Sequence, residues 1–143
     1  MCTCITFKAR EFYFGRNLDL EYSFGEKVVV TPKKYQFKLK NNTIFQTKYA
    51  IIGMATVYAN YPLYADATNE EGLSIAGLYF PGNAVYNDEK ENCDNIASFE
   101  LIPWILGSFS NVLALKKVLK RLNITNKPFN EIFPVTELHW MIS

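Results

Sequence analysis

Short apolar and β-rich runs, separated by polar or charged turns, fill the first eighty residues, and that pattern predicts strands. Residues 3–7 and 12–16 are short β-rich runs around the charged turn Lys8-Ala9-Arg10-Glu11, which reads as a hairpin. Residues 27–31 give a strand ended by Pro32, and 35–39 another, followed by an Asn41-Asn42 turn. Residues 49–58 form an unbroken apolar run, the pattern of a strand buried on both faces. Runs 63–68 and 73–80 flank Asn69-Glu70-Glu71-Gly72 and read as an antiparallel pair joined by a glycine turn. Residues 82–95 are polar and mixed, hence a loop.

The pattern changes afterwards. Residues 96–109 place Phe99, Ile102, Ile105 and Leu106 on one helical face, with a kink expected at Pro103. Ser110 is the expected N-cap of a second helix carrying Val112, Leu115, Val118, Leu119 and Leu122, with Lys116, Lys117, Lys120 and Arg121 on its solvated face. Residues 138–142 read as a final strand. Strands first and helices after predict an α+β fold. Neither a repeat nor a linker is visible, so residues 1–143 read as a single domain.

Composition narrows the function classes. Aromatic residues make up 15% of the chain, which suits pleated surfaces and an apolar pocket. The net charge of +1 gives no electrostatic reason to bind nucleic acid or an acidic membrane. No apolar run approaches the roughly 18 residues of a membrane span. Cys2, Cys4 and Cys93 make neither a disulfide framework nor a metal-ligand spacing, and a reducing cytoplasm is the expected setting. Asp66, Glu70 and Glu71 lack partners at metal-ligand spacing, no glycine-rich phosphate loop occurs, and no cofactor is implied.

The chemistry is concentrated at the start. Once Met1 is removed, Cys2 carries a thiol and a free α-amine on one Cα. An unperturbed N-terminal amine has a pKa of about 7.7–8.0 and a free thiol one of about 8.5, so two such groups can exchange a proton near neutrality without a histidine. The one histidine, His139, lies far along the chain and is expected to be structural. After Met1-Cys2-Thr3 come Phe14-Gly15-Arg16-Asn17-Leu18-Asp19, Glu21-Tyr22-Ser23-Phe24-Gly25-Glu26, Asn69-Glu70-Glu71-Gly72-Leu73, Ala76-Gly77-Leu78 and Leu138-His139-Trp140. In this order the motifs resemble the choloylglycine hydrolase family, which contains bile salt hydrolases and penicillin V acylases.

The resemblance spans the whole chain and implies the N-terminal part of a four-layer αββα N-terminal-nucleophile hydrolase, with the C-terminal part of the family's domain absent. It implies hydrolysis of a linear amide bond. Cys2 would be the nucleophile, with Arg16 and Asp19 around it: a guanidinium favours the thiolate and a carboxylate can orient the amine. Asn17 would only shape the turn. Tyr79 falls at the oxyanion hole, its N–H a donor and its ring facing substrate. Leu18, Tyr58, Ala65, Phe129 and Phe133 fall near the acyl pocket. The family's downstream oxyanion asparagine and second arginine match no residue of this chain. A tyrosine at 79 favours penicillin V, since a phenol ring can stack on phenoxyacetyl; a conjugated bile salt is the alternative. The family also makes a homotetramer possible. A reading of another class is a catalytically inactive fragment whose apolar strand faces, 49–58 and 73–80, lie exposed and favour aggregation.

Overall fold

The computed structural model describes residues 2–143; Met1, and with it the expectation of its removal, lies outside the described residues. Two strands open the fold. β1 (Thr3–Lys8) and β2 (Phe12–Asn17) form the expected hairpin, antiparallel with Thr3 opposite Asn17 and Lys8 opposite Phe12. Along β1, Cys4 and Thr6 are half-buried while Thr3, Ile5 and Phe7 are exposed, so one face of the hairpin looks inward.

The main sheet has five strands. β3 (Lys27–Thr31), β6 (Ile51–Tyr58), β7 (Tyr61–Asn69), β8 (Ser74–Tyr79) and β11 (Leu138–Ile142) lie in the order β11-β8-β7-β6-β3, all antiparallel. Gly72 closes the β7–β8 turn at φ +87°, a left-handed conformation that suits glycine. Asn69 secures that turn, its Oδ1 accepting from the Glu71 and Leu73 N–H groups. Between β3 and β6 lies a small hairpin of β4 (Gln36–Lys38) and β5 (Ile44–Gln46), with Asn42 at positive φ in its turn.

The helical half departs from the sequence pattern. Residues 94–97 are a strand, β9 (Asp94–Ala97), parallel to β10 (Leu122–Thr125). A 3₁₀ turn (Ser98–Glu100) then leads into α1 (Leu101–Ser108). Pro103 stands in the first turn of α1, where a missing N–H costs nothing, so it starts the helix instead of kinking it. The second helix, α2, covers only Val112–Lys116, and Leu122 belongs to β10. Its N-cap is Asn111, whose Oδ1 accepts from the Ala114 N–H at 2.9 Å; Ser110 does not cap it. Asn111→Ala will therefore lower stability by about 1 kcal/mol, whereas Ser110→Ala will change it by less than about 0.5 kcal/mol. Paired urea titrations check this, and equal losses would restore Ser110 as the cap.

α1 packs across β7 and β8 and closes the core, in which Phe37, Ile51, Ile75, Ile105 and Leu106 are fully buried. Asn69 stitches helix to sheet, donating to the Leu106 and Phe109 carbonyls. The opposite sheet face is covered only in part. Val28, Val30 and Ile52 share it and are exposed, so β6 is buried on one face, not on both as its composition predicts. β8 is covered on both faces as far as Leu78. Exposure of apolar strand faces is thus met on β6 and, within 73–80, only at Tyr79 and Phe80. Among the described residues, no helix is long and apolar enough to cross a membrane.

Candidate active site

Arg16 is the structural centre of the site. It sits on β2 opposite Cys4 and points inward; only 6% of its side chain is exposed. Its Nη2 donates a short hydrogen bond to the Gly77 carbonyl of β8. Its Nε lies 3.3 Å from Asp66 Oδ2. The geometry of that second contact is that of an ion pair without a hydrogen bond, and Nε and Nη1 are buried with no hydrogen-bond partner among the described residues.

Asp66 is the carboxylate that sequence reading missed. Its placement depends on a bulge. Met54 pairs with Asp66 and Ala55 with Tyr64, so Ala65 is the extra residue on β7. An extra residue reverses the side-chain alternation beyond it. Pro62 and Tyr64 face the core before the bulge, and Ala67 and Asn69 face it afterwards. Asp66 is thereby turned away from α1 toward the hairpin. Gly53, opposite Ala67, allows the close approach: a Cβ there would lie 2.1 Å from the Asp66 carbonyl oxygen. Burial pushes the Asp66 carboxyl above its ordinary range, and the Arg16 charge and a Met54 backbone hydrogen bond pull it only partly back.

Between the hairpin and the sheet lies a cavity of about 320 Å³ lined by Phe14, Arg16, Leu18, Ile52, Met54, Asp66, Ala67 and Thr68. Leu18, expected in the acyl pocket, lines this cavity together with Arg16. Ala65 is half-buried at the bulge. Tyr58 shares its strand face with Ile52 and Met54 and forms an aromatic group with the other two expected lining residues. Its ring centroid lies 6.0 Å from Phe129 and 5.4 Å from Phe133, and those two lie 6.2 Å apart. Phe24 adds an edge at 6.4 Å from Phe133. The structure thus brings Tyr58, Phe129 and Phe133 together, while Leu18 lines the hairpin–sheet cavity and Ala65 lies at the bulge of β7.

Cys2 is half-buried one residue before β1, and strand alternation places it on the inward hairpin face with Cys4. Cys4 is the cysteine directly opposite Arg16, yet burial pushes its thiol up, outweighing an Ile5 backbone hydrogen bond and the Arg16 charge. A raised thiol pKa disfavours the thiolate at Cys4. Asp19 is exposed beyond the end of β2, and Asn17 is exposed opposite Thr3. Tyr79 ends β8 two residues past the carbonyl that holds Arg16 and is 60% exposed. His139 stacks on Phe80 at 4.7 Å within the sheet, away from any relay. Among the described residues, no three His, Cys, Asp or Glu side chains converge on a metal position.

Comparison with known proteins places this arrangement. A bile salt hydrolase/transferase from Lactiplantibacillus plantarum is 46% identical over 143 residues, covering all of this chain and 44% of that protein. One from Clostridium perfringens is 41% identical, covering 45% of its length. The chain spans under half the length of these curated relatives. A variant of the conjugated bile acid hydrolase from Clostridium perfringens superposes with a TM-score of 0.93 at 40% identity, over all of this chain and 45% of that one. A penicillin V acylase from Agrobacterium tumefaciens superposes with a TM-score of 0.73 over 99% of this chain and 42% of that one, but at 18% identity, which speaks to fold alone. The α+β arrangement is the N-terminal part of the αββα N-terminal-nucleophile hydrolase fold. Residues 2–143 match the model of the linear amide C–N hydrolases, choloylglycine hydrolase family, and the chain belongs to that family.

Proposed function

We propose that this chain is the N-terminal portion of an amidohydrolase that cleaves the amide bond of conjugated bile salts, with Cys2 as nucleophile. The observation that carries the proposal is the half-buried Cys2 on the inward hairpin face, which also presents the buried Arg16 guanidinium. In this reading the Cys2 α-amine takes the thiol proton and Cys2 Sγ attacks the amide carbonyl carbon. The tetrahedral oxyanion that forms is met by the Tyr79 N–H. The C–N bond breaks as the amine passes its proton to the leaving nitrogen. Water then cleaves the acyl thioester, releasing the bile acid and restoring the thiol. Arg16 supports the thiolate by its charge. Asp19 orients the amine.

Bile salts are favoured over penicillin V by the relatives, which are named for bile salts or bile acids at 37–46% identity. Tyr79 is the counter-argument, and it concerns one exposed ring. The test is kcat/KM for glycocholate, taurocholate and penicillin V in the protein containing this chain. The bile conjugates are expected to lead by at least about tenfold. The reverse order would return the aromatic-acyl reading. No turnover of any of the three by residues 1–143 alone, with Cys2 demonstrably at the N-terminus, would favour the inactive-fragment reading.

A further inference from the structure

We infer that Lys40 is a positioning residue for the acyl pocket: its ammonium pins the loop that carries Phe129 and Phe133. The inference rests on the functional reading above for the identity of that pocket, but the tether itself is geometry. The loop spans residues 126–137, between β10 and β11. Both of its feet are fixed. At one end the Asn126 N–H donates to the Asn87 carbonyl and Lys127 pairs with Glu89. At the other, Tyr86 Oη donates to the Thr136 carbonyl, and Glu137 accepts from the Gly82 N–H.

The centre of the loop is differently held. Asn130 Oδ1 accepts from the Ile132 and Phe133 N–H groups, and the Phe129 N–H donates to the Phe133 carbonyl. These bonds make a compact unit but tie it to nothing else. Among the described residues, its polar link to the body of the fold is Lys40 Nζ, which donates to the Phe129 carbonyl at 2.7 Å and lies 6.0 Å from the centroid of the Phe129 ring. Lys40 is itself fixed from behind. Its N–H donates to Glu100 Oε1 at 2.7 Å, and Glu100, 1% exposed, accepts the Ala97 N–H through its other oxygen. The chain of contacts runs from a buried carboxylate through Lys40 to the carbonyl of an aromatic pocket wall.

That wall has space behind it. A second cavity, of about 290 Å³, is lined by Lys40, Tyr61, Phe99, Glu100 and Phe129 among others. Phe129 therefore separates this cavity from the ring group it forms with Tyr58 and Phe133. On the cavity side the Phe129 ring meets only other rings, Tyr61 at 5.3 Å and Phe99 at 5.2 Å, and such ring contacts are individually weak. Without the Lys40 bond the Phe129 ring can retreat into the cavity and loosen the pocket on a large steroid acyl group. The cost falls on binding rather than on the nucleophile.

The test uses Lys40→Met, which keeps the apolar stem and removes the charge and donors, and Lys40→Arg, which restores them. KM for glycocholate and taurocholate is expected to rise about three- to tenfold in Lys40→Met with kcat within about twofold, and to recover in Lys40→Arg. Hydrogen exchange supplies a readout independent of turnover. The amides of Phe129, Asn130, Ile132 and Phe133 should lose protection in Lys40→Met while those of β6 and β7 keep theirs. Unchanged exchange in 129–133 overturns the tether, and so does a fall in kcat with KM unmoved. Should the unmodified protein hydrolyse no bile conjugate, the functional reading fails and exchange alone still decides the tether.

Discussion

Cys2→Ala will abolish hydrolysis, with kcat/KM falling on the order of 10⁴–10⁶-fold, because no other group on the inward hairpin face can replace the attacking sulfur. Cys4 is the obvious substitute by proximity, two residues along the same half-buried face. Its thiol is held up by burial, so little thiolate is available at neutral pH. It also sits within β1, where the paired backbone fixes it opposite Arg16 and offers no free amine to take its proton. A protein with one uncleaved residue ahead of Cys2 will keep the sulfur and lose the base. It should fall by about 10²–10⁴-fold, the usual range for removing a general base. Turnover of glycocholate, with intact mass to establish the first residue, reads both effects. Full activity with the extra residue in place would remove the amine from the mechanism, and residual activity in Cys2→Ala would point to Cys4.

The hairpin, the central strands and the last strand were legible because each is a local β-rich or apolar run bounded by turn residues. Residues 138–142 are a strand with those bounds. The helical half was less legible. Ile96 and Ala97 continue a helical stripe into Phe99 and Ile102, yet the buried face they offer is taken by pairing with β10. Leu122 likewise continues the helical spacing of Leu115 and Leu119 and ends in that strand. Parallel pairing of two segments so far apart leaves no trace in either one. The site was half legible for a related reason. Arg16 is announced by its motif; its partner Asp66 is not, since simple alternation puts Asp66 on the same face as Tyr64, in the core. Only the extra residue at Ala65 turns it outward, and at the bulge itself, Tyr64-Ala65-Asp66, no glycine or proline marks it.

That hidden carboxylate yields a prediction whose two halves move in opposite directions. Asp66→Asn will leave stability at neutral pH equal to or above that of the unmodified protein, and will lower kcat/KM by about 10–100-fold. The stability half follows from the sign of linkage. A carboxyl whose folded pKa is raised holds its proton more tightly when folded than when unfolded. Its contribution is complete below the unfolded value near 3.9 and is lost as pH rises through the raised folded value. Each unit of that elevation corresponds to about 1.4 kcal/mol of difference between the protonation states. Asparagine keeps the shape and does not titrate. Stability of the unmodified protein relative to Asp66→Asn should therefore decline as pH rises from about 4, then level off above the raised pKa. Activity moves the other way because Arg16 depends on few contacts: the Gly77 carbonyl and Asp66. With the carboxylate neutralised, the guanidinium keeps one anchor among the described residues, and the charge that the proposed mechanism directs at the Cys2 thiolate loses its direction. Urea midpoints from pH 4 to 8, beside kcat/KM for glycocholate, measure the two halves separately. A large loss of stability at pH 7 in Asp66→Asn would mean that the ion pair outweighs its own desolvation, contrary to the loose geometry seen between Nε and Oδ2.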